Sequence, residues 1–135
     1  MAPQSLSGYY SSTLVDHFEH PRNAGAMDDA DVEGFVTNTV CGDSMRLFLR
    51  IADGGERIAA ASFLTSGCPA SIATSSVSTE MITGLTLDEA EAITRQQFAE
   101  ALGGLPKSKV HCSVLAQAAV RNAISEWRAG RADSM

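Results

Sequence analysis

Three cysteines carry most of the chemistry that this sequence offers. Each lies beside residues that can bind a metal or turn the backbone, in the segments Cys41-Gly42-Asp43, Gly67-Cys68-Pro69 and His111-Cys112. With Asp43 and His111 they make five potential ligands, of which only three are thiols. A zinc ion or an iron–sulfur cluster needs about four ligands. An oxygen or nitrogen donor would therefore complete the set, and such a site can hold a metal without holding it permanently.

Periodicity and capping signals predict the elements that must position these residues. Alternating apolar residues at 45–51 predict a strand, 58–65 its antiparallel partner after a turn at 53–55, and 35–40 a third strand. Helices are predicted at 9–19, at 69–84, after capping boxes at Thr86 and Thr94, and at 109–128. Residues 28–33 are expected to form a loop, and 129–135 a loose tail.

This order of elements predicts an α+β fold. It combines a small three-stranded antiparallel sheet with several helices packed mainly on one face and a long C-terminal helix. The 135 residues fit one domain, with a core at about 9–128 and flexible tails.

The predicted elements place two cysteines at helix starts. Cys68 directly precedes the helix that begins at Pro69, Cys112 lies in the first turn of the last helix, and Cys41 lies on a loop leading into a strand. The positive end of a helix dipole favours thiolate over thiol. Cys68 and Cys112 are therefore expected to act as nucleophiles or metal ligands. The spacings of 27 and 44 residues exclude a zinc finger built on a close cysteine pair.

Each of these residues also has a plainer interpretation. Scattered cysteines are often buried core residues. Asp43 alone would be typical of a turn, and His111 of a helix start. His17 and His20, on the first helix and its end, are expected at the surface. The hydroxyl residues between 71 and 79 have no acid–base partner in the sequence and are expected to permit close packing near the metal loop.

Composition narrows the function classes further. The net charge is −6, and no run of Lys and Arg indicates a nucleic-acid surface. No apolar stretch reaches the roughly 18 residues that span a bilayer, and residues 1–8 lack the apolar core of a secretory signal. Three thiols are ordinary in a reducing compartment. We expect a soluble cytoplasmic protein.

Several ordered segments resemble one known family, that of the IscU iron–sulfur cluster scaffolds, which includes the N-terminal domain of NifU. The resemblance covers about 9–128. Its segments are Asp16-His17-Phe18-Glu19-His20-Pro21-Arg22-Asn23-Ala24-Gly25, Cys41-Gly42-Asp43, Gly67-Cys68, Ala73-Thr74-Ser75-Ser76, Gly84-Leu85-Thr86-Leu87-Asp88-Glu89-Ala90 and His111-Cys112-Ser113.

The resemblance implies a scaffold rather than an enzyme. A cysteine desulfurase would deliver persulfide sulfur, iron would bind, and a ferredoxin-like donor would supply electrons. A transient 2Fe–2S cluster would form and pass to apo-protein acceptors, and zinc can occupy such a site in place of iron. By family position Cys41, Cys68 and Cys112 would be cluster thiolates, with Cys112 as sulfur acceptor. His111 and Asp43 would be the candidates for the fourth ligand.

Two alternatives stay open from the sequence. One is a zinc-bound sulfur acceptor that activates a desulfurase as its sulfurtransferase partner, and the other is a structural zinc domain. The family pattern also changes at two places. Pro69-Ala70-Ser71 follows the second cysteine where the family usually has Gly-Ser-Ala. Residues 105–109 read Leu-Pro-Lys-Ser-Lys instead of the Leu-Pro-Pro-Val-Lys recognised by a DnaK-class chaperone, so the resemblance does not extend to that chaperone.

Overall fold

The computed structural model describes residues 10–38 and 42–133. Within those ranges five α-helices accompany a three-stranded sheet. The helices are α1 (Ser12–Glu19), α2 (Pro69–Ile82), α3 (Leu87–Ala92), α4 (Arg95–Ala101) and α5 (Val110–Asp133). The strands are β1 (Val32–Asn38), β2 (Asp43–Ala52) and β3 (Arg57–Ser66), and short 3-10 turns lie at Asp53–Gly55 and Lys107–Lys109. The α+β class and the long C-terminal helix are confirmed.

The sheet has one buried face. Strand β2 lies between β1 and β3 and pairs antiparallel with both. Alternate residues of a strand point to opposite faces. On β2, Met45, Leu47 and Leu49 are fully buried, whereas on the opposite face Arg46 and Arg50 are exposed and Phe48 is buried. The alternation predicted for this strand is confirmed, and its buried face forms the core beneath the helices.

Helix α5 crosses that face so closely that one position of β1 must be glycine. A Cβ on Gly34 would lie 2.8 Å from the backbone nitrogen of Ala123 and 3.0 Å from the carbonyl oxygen of Ala119. The alanines that α5 presents here allow this close approach, and the surrounding apolar residues exclude water. The packing fixes the position of α5, whose first turn carries two candidate ligands.

The interface between α1 and α2 buries polar groups as well as apolar ones. His17 is only 6% exposed, and its Nδ1 lies 2.8 Å from Oγ of Ser76. The same oxygen accepts a hydrogen bond from the backbone N–H of Arg22 at 2.8 Å, and Asn23 Nδ2 donates to Thr79 Oγ1 at 3.1 Å. The surface position expected for His17 is therefore wrong, because the chain after α1 folds back against α2. His20 is exposed, as expected.

Burial shifts the titration of His17. It lowers the pKa of the imidazole, with the Arg22 charge acting in the same direction and Glu80 and Asp16 opposing both. Nε2 of His17 lies 3.6 Å from a carboxylate oxygen of Glu80. The neutral imidazole is therefore the form that this interface stabilises.

The first helix begins at Ser12 and not at residue 9 as expected, and the start of β1 differs as well. Strand β1 begins at Val32, inside the expected loop, because Asp31 extends the ladder: its N–H donates to Leu49 O at 2.7 Å, and its carboxylate accepts from Ile51 N–H at 2.6 Å. Residues 39 and 40, expected in this strand, lie outside the described residues.

The C-terminal helix is longer than expected. It continues through Asp133, so the loose tail predicted from residue 129 is wrong as far as the structure describes it. Trp127 Nε1 donates to Gly55 O at 3.2 Å, and Arg128 pairs with Glu91 at 3.1 Å and Asp88 at 2.7 Å. These contacts hold the later turns of α5 onto the sheet turn and α3.

Capping chemistry sets the starts of α3 and α4 as predicted. Thr86 and Glu89 form a reciprocal capping box, as do Thr94 and Gln97. Each box satisfies two backbone N–H groups that the first helical turn leaves without partners. Across the described ranges, no helix combines the length and the apolar character that crossing a bilayer requires.

Candidate metal centre

Four of the five residues singled out in the sequence meet at one end of the molecule. Asp43 begins β2, Cys68 is the N-cap of α2, and His111 and Cys112 lie in the first turn of α5. The sulfur atoms of Cys68 and Cys112 are 3.9 Å apart, and His111 Nε2 lies 3.7 Å from Asp43 Oδ2. Ligand atoms of Asp43, His111 and Cys112 all lie within 4.8 Å of one another. Cys41, the fifth residue, lies outside the described residues.

A glycine makes room for the carboxylate. A Cβ on Gly67 would lie 2.7 Å from Oδ1 and 2.8 Å from Cγ of Asp43. Real Cβ atoms do not approach other atoms so closely, so a larger residue here would displace Asp43. The carboxylate is 6% exposed and lies directly beneath the loop that leads into α2. Pro69 follows Cys68 at the first helical position, where its missing N–H costs nothing.

Ser71 connects the carboxylate to both thiols. Its hydroxyl donates a hydrogen bond to Asp43 Oδ2, and its oxygen lies 3.2 Å from Cys112 Sγ and 3.6 Å from Cys68 Sγ. The side chain is 1% exposed. The hydroxyl residues of α2 were expected to serve close packing. Ser71 is buried, as close packing requires, and its hydroxyl also contacts Asp43 and the two thiols.

The two thiols have opposite protonation tendencies. Burial alone would raise the pKa of Cys68, but its contacts with the hydroxyl and backbone N–H of Ser71 and with Cys112, and the charge of Lys109, together lower it. Burial raises the pKa of Cys112 to about 12, and the nearby Cys68 and Asp43 add to that effect. The pKa of Cys68 is therefore shifted toward the thiolate that a helix start favours, whereas that of Cys112 is shifted the other way by burial, since Cys112 is only 1% exposed.

The donor geometry suits a tetrahedral metal with mixed ligands. Thiolates bound to one tetrahedral ion at about 2.3 Å have sulfur atoms roughly 3.8 Å apart, close to the 3.9 Å between Cys68 and Cys112. The imidazole and the carboxylate are 3.7 Å apart, near the separation of nitrogen and oxygen ligands on such an ion. Soft thiolates with one harder donor fit zinc or iron–sulfur chemistry better than calcium or magnesium.

Sequence reasoning quoted Gly67 and Ser71 but assigned neither of them a role in placing the Asp43 carboxylate. Ser71 follows the N-cap Cys68 by three positions, the spacing at which a helix side chain reaches back to its cap. That spacing was the available signal. For Gly67 the sequence carried no comparable signal, because the atoms it must clear come from Asp43, 24 positions earlier.

Comparisons with known proteins agree with this architecture. Residues 9–133 match the family model of the NifU-like N-terminal domain. The chain is 52% identical to the iron-sulfur cluster assembly scaffold protein IscU 1 of Archaeoglobus fulgidus, over 87% of this chain and 76% of that one. It is 43% identical to the IscU scaffold protein of Escherichia coli K12, over 90% and 96%.

A solved structure shares the fold. It is a putative iron-sulfur cluster assembly scaffold protein for the SUF system from Fervidobacterium islandicum, with a TM-score of 0.67 and 25% identity. The match covers 85% of this chain and 96% of that one. On the family match and these identities, the chain belongs to the NifU-like N-terminal domain family, which is the family that its cysteine motifs resemble.

Proposed function

We propose that this protein is a scaffold on which an iron–sulfur cluster is assembled and from which it is passed to acceptor proteins. The observation that carries the proposal is the convergence of two thiols, an imidazole and a carboxylate on one small site. The names of its relatives as IscU scaffold proteins support the same function. A cluster held by a full thiol set is durable, whereas a mixed set releases its cargo more readily.

Each candidate ligand would have its own role at the site. Cys41, Cys68 and Cys112 would supply cluster thiolates, with Asp43 or His111 as the fourth ligand. The place of Cys41 in this set rests on the family resemblance. Because the carboxylate is the hardest of these donors, an acceptor thiolate would displace it first.

Sulfur would enter as a persulfide from a cysteine desulfurase. Once exposed to solvent, Cys112 loses its proton to water and its thiolate attacks the outer sulfur, so that the S–S bond breaks and the desulfurase cysteine leaves as a thiolate. A ferredoxin-like donor then supplies the electrons that reduce this sulfur to sulfide. Since Cys112 is 1% exposed, the first turn of α5 must move away from Ser71 for this attack to occur.

Exposed apolar side chains next to the centre support contact with protein partners. Val110 is 41% and Val114 40% exposed, on the same turns of α5 as His111 and Cys112. Apolar surface beside a buried polar centre is typical of a protein-binding surface. We propose that a desulfurase or an acceptor covers these residues while cargo is loaded or released.

Anaerobic reconstitution tests the function. The metal-free protein is incubated with a cysteine desulfurase, cysteine, a reductant and ferrous iron, and followed by visible absorption and Mössbauer spectroscopy. We expect a 2Fe–2S cluster that moves to an apo-ferredoxin, and little cluster on Cys68→Ser. A zinc-bound sulfur acceptor would take up persulfide and form no cluster, and that result would overturn the proposal.

A further inference from the structure

Ser71 lies at a position where its hydroxyl can bond to groups outside its own helix. Four other buried hydroxyls of α2 donate to carbonyl oxygens of their own helix, at Thr74, Ser75, Ser78 and Thr79, whereas Ser76 contacts His17 and the Arg22 N–H. Ser71 lies in the first turn, so the residues three and four positions earlier precede the helix. Its hydroxyl is therefore available for bonds outside the helix.

The bond that it makes fixes the carboxylate. A hydroxyl has one proton to donate, and Ser71 donates it to Oδ2 of Asp43. Gly67 leaves the space that Oδ1 occupies, since even a methyl group there would lie 2.7 Å away. The Ser71 bond and the space at Gly67 together define where the carboxylate lies. The same Ser71 oxygen contacts both sulfur atoms, at 3.2 and 3.6 Å.

We propose that Ser71 is a positioning residue that holds the Asp43 carboxylate against the two thiols, so that these donors bind one metal ion together. The inference deepens the proposed function and rests on it only for iron as the cargo; the positioning applies to any divalent ion of similar size. Residues that hydrogen-bond a metal ligand typically change metal affinity by about 10- to 100-fold when they are removed.

Cobalt(II) binding to the protein alone provides the test, because thiolate-to-cobalt bands report the ligand set and need no cluster. Affinity is measured by competition with a chelator. We expect Ser71→Ala to weaken cobalt binding about tenfold. Ser78→Ala is the matched control, an equally buried serine of α2 that does not touch the centre, and it should bind like the parent.

A double-mutant cycle separates positioning from general structure. In an Asp43→Ala background, Ser71→Ala should change cobalt affinity less than twofold, because its partner is gone. Equal loss in both backgrounds would overturn the proposal, as would unchanged affinity of Ser71→Ala or no cobalt binding by the parent. If Ser71→Ala does not fold, Ser71→Thr and Ser71→Val form an isosteric pair with and without the hydroxyl, and only the threonine variant should keep strong binding.

The two proposals can fail separately. If the cobalt coupling is observed but no 2Fe–2S cluster forms, the positioning role of Ser71 is supported and the scaffold function is rejected. If the protein assembles and transfers a cluster but Ser71→Ala binds cobalt normally, the scaffold function is supported and the positioning role is rejected.

Discussion

Helix α2 contacts two buried polar regions that use similar residues and behave differently. In its middle, Ser76 and Thr79 bind His17, the Arg22 backbone and Asn23. At its start, Ser71 meets a carboxylate and two thiols. In the first region, hydrogen bonds at 2.8 to 3.1 Å join each hydroxyl to groups from a neighbouring segment. In the second region, the thiols have only weak contacts beyond 3.1 Å.

The middle of α2 is therefore expected to contribute to stability, and the start of α2 to metal binding. A satisfied polar network fixes the packing of α1 on α2, and its removal leaves unpaired buried groups. The donors at the helix start face one another with spare coordinating capacity, which is what a metal ion can use. We therefore expect substitutions in the middle region to change stability, and substitutions at the helix start to change metal binding.

The largest expected effect is a difference in reactivity between the two thiols. Because the pKa of Cys68 is lowered and that of Cys112 is raised to about 12, iodoacetamide should modify Cys68 at least about 100 times faster at neutral pH. Peptide mapping by mass spectrometry of the metal-free protein measures both rates. Similar rates would show that the start of α5 opens freely and that Cys112 is not shielded.

Gly67→Ala should disrupt the helix-start region most strongly. Its Cβ would collide with the Asp43 carboxylate, so zinc affinity should fall about 10- to 100-fold while the fold persists. Gly130→Ala is the control, since its Cβ would meet nothing within 4 Å. Competition with a zinc chelator checks the affinity, and normal binding by Gly67→Ala would exclude this position for Asp43.

Ser76→Ala should disrupt the middle region instead. It leaves His17 Nδ1 and the Arg22 N–H without their partner, which costs about 2 kcal/mol of unfolding free energy. Urea unfolding measures the loss, and cobalt affinity should be unchanged. A variant with parental stability and weakened cobalt binding would reverse the assignment of the two regions.

The smallest expected effect is on the pH dependence of stability. Burial lowers the pKa of His17 in the folded protein below its ordinary value of 6.5. Protonation therefore favours the unfolded state: the contribution of His17 is complete above about pH 6.5 and is lost as the pH falls toward its folded pKa. The urea midpoint should fall less between pH 7.5 and 5.5 in His17→Asn than in the parent. The exposed His20→Asn is the control and should behave like the parent.

Patterns local in the sequence predicted much of this fold. Alternation at Met45, Leu47 and Leu49 located β2, and capping boxes at Thr86 and Thr94 located two helix starts. The helix-start positions of Cys68 and Cys112 were also readable, because caps and prolines act within a few residues. The family resemblance added the expectation that these donors share one site.

Properties that depend on distant residues were not predictable in this way. His17 is buried because the segment after α1 packs against Ser76, 59 positions later. The pKa of Cys112 is raised because other elements of the fold bury it. The last turns of α5 lie against the sheet turn, where Trp127 donates to Gly55, 72 positions earlier. In each case tertiary packing decides what the local sequence leaves open.

The most direct test of the central claim is the rate at which the cluster leaves the protein. Parent and Asp43→Ala are loaded with a 2Fe–2S cluster, and transfer to an apo-ferredoxin is followed by circular dichroism. Without the carboxylate, the nearby His111 imidazole is the remaining candidate for the fourth ligand, and it is a softer ligand that exchanges less readily. We expect transfer from Asp43→Ala to be several-fold slower than from the parent. Equal rates would contradict the claim that the mixed ligand set makes the cluster releasable.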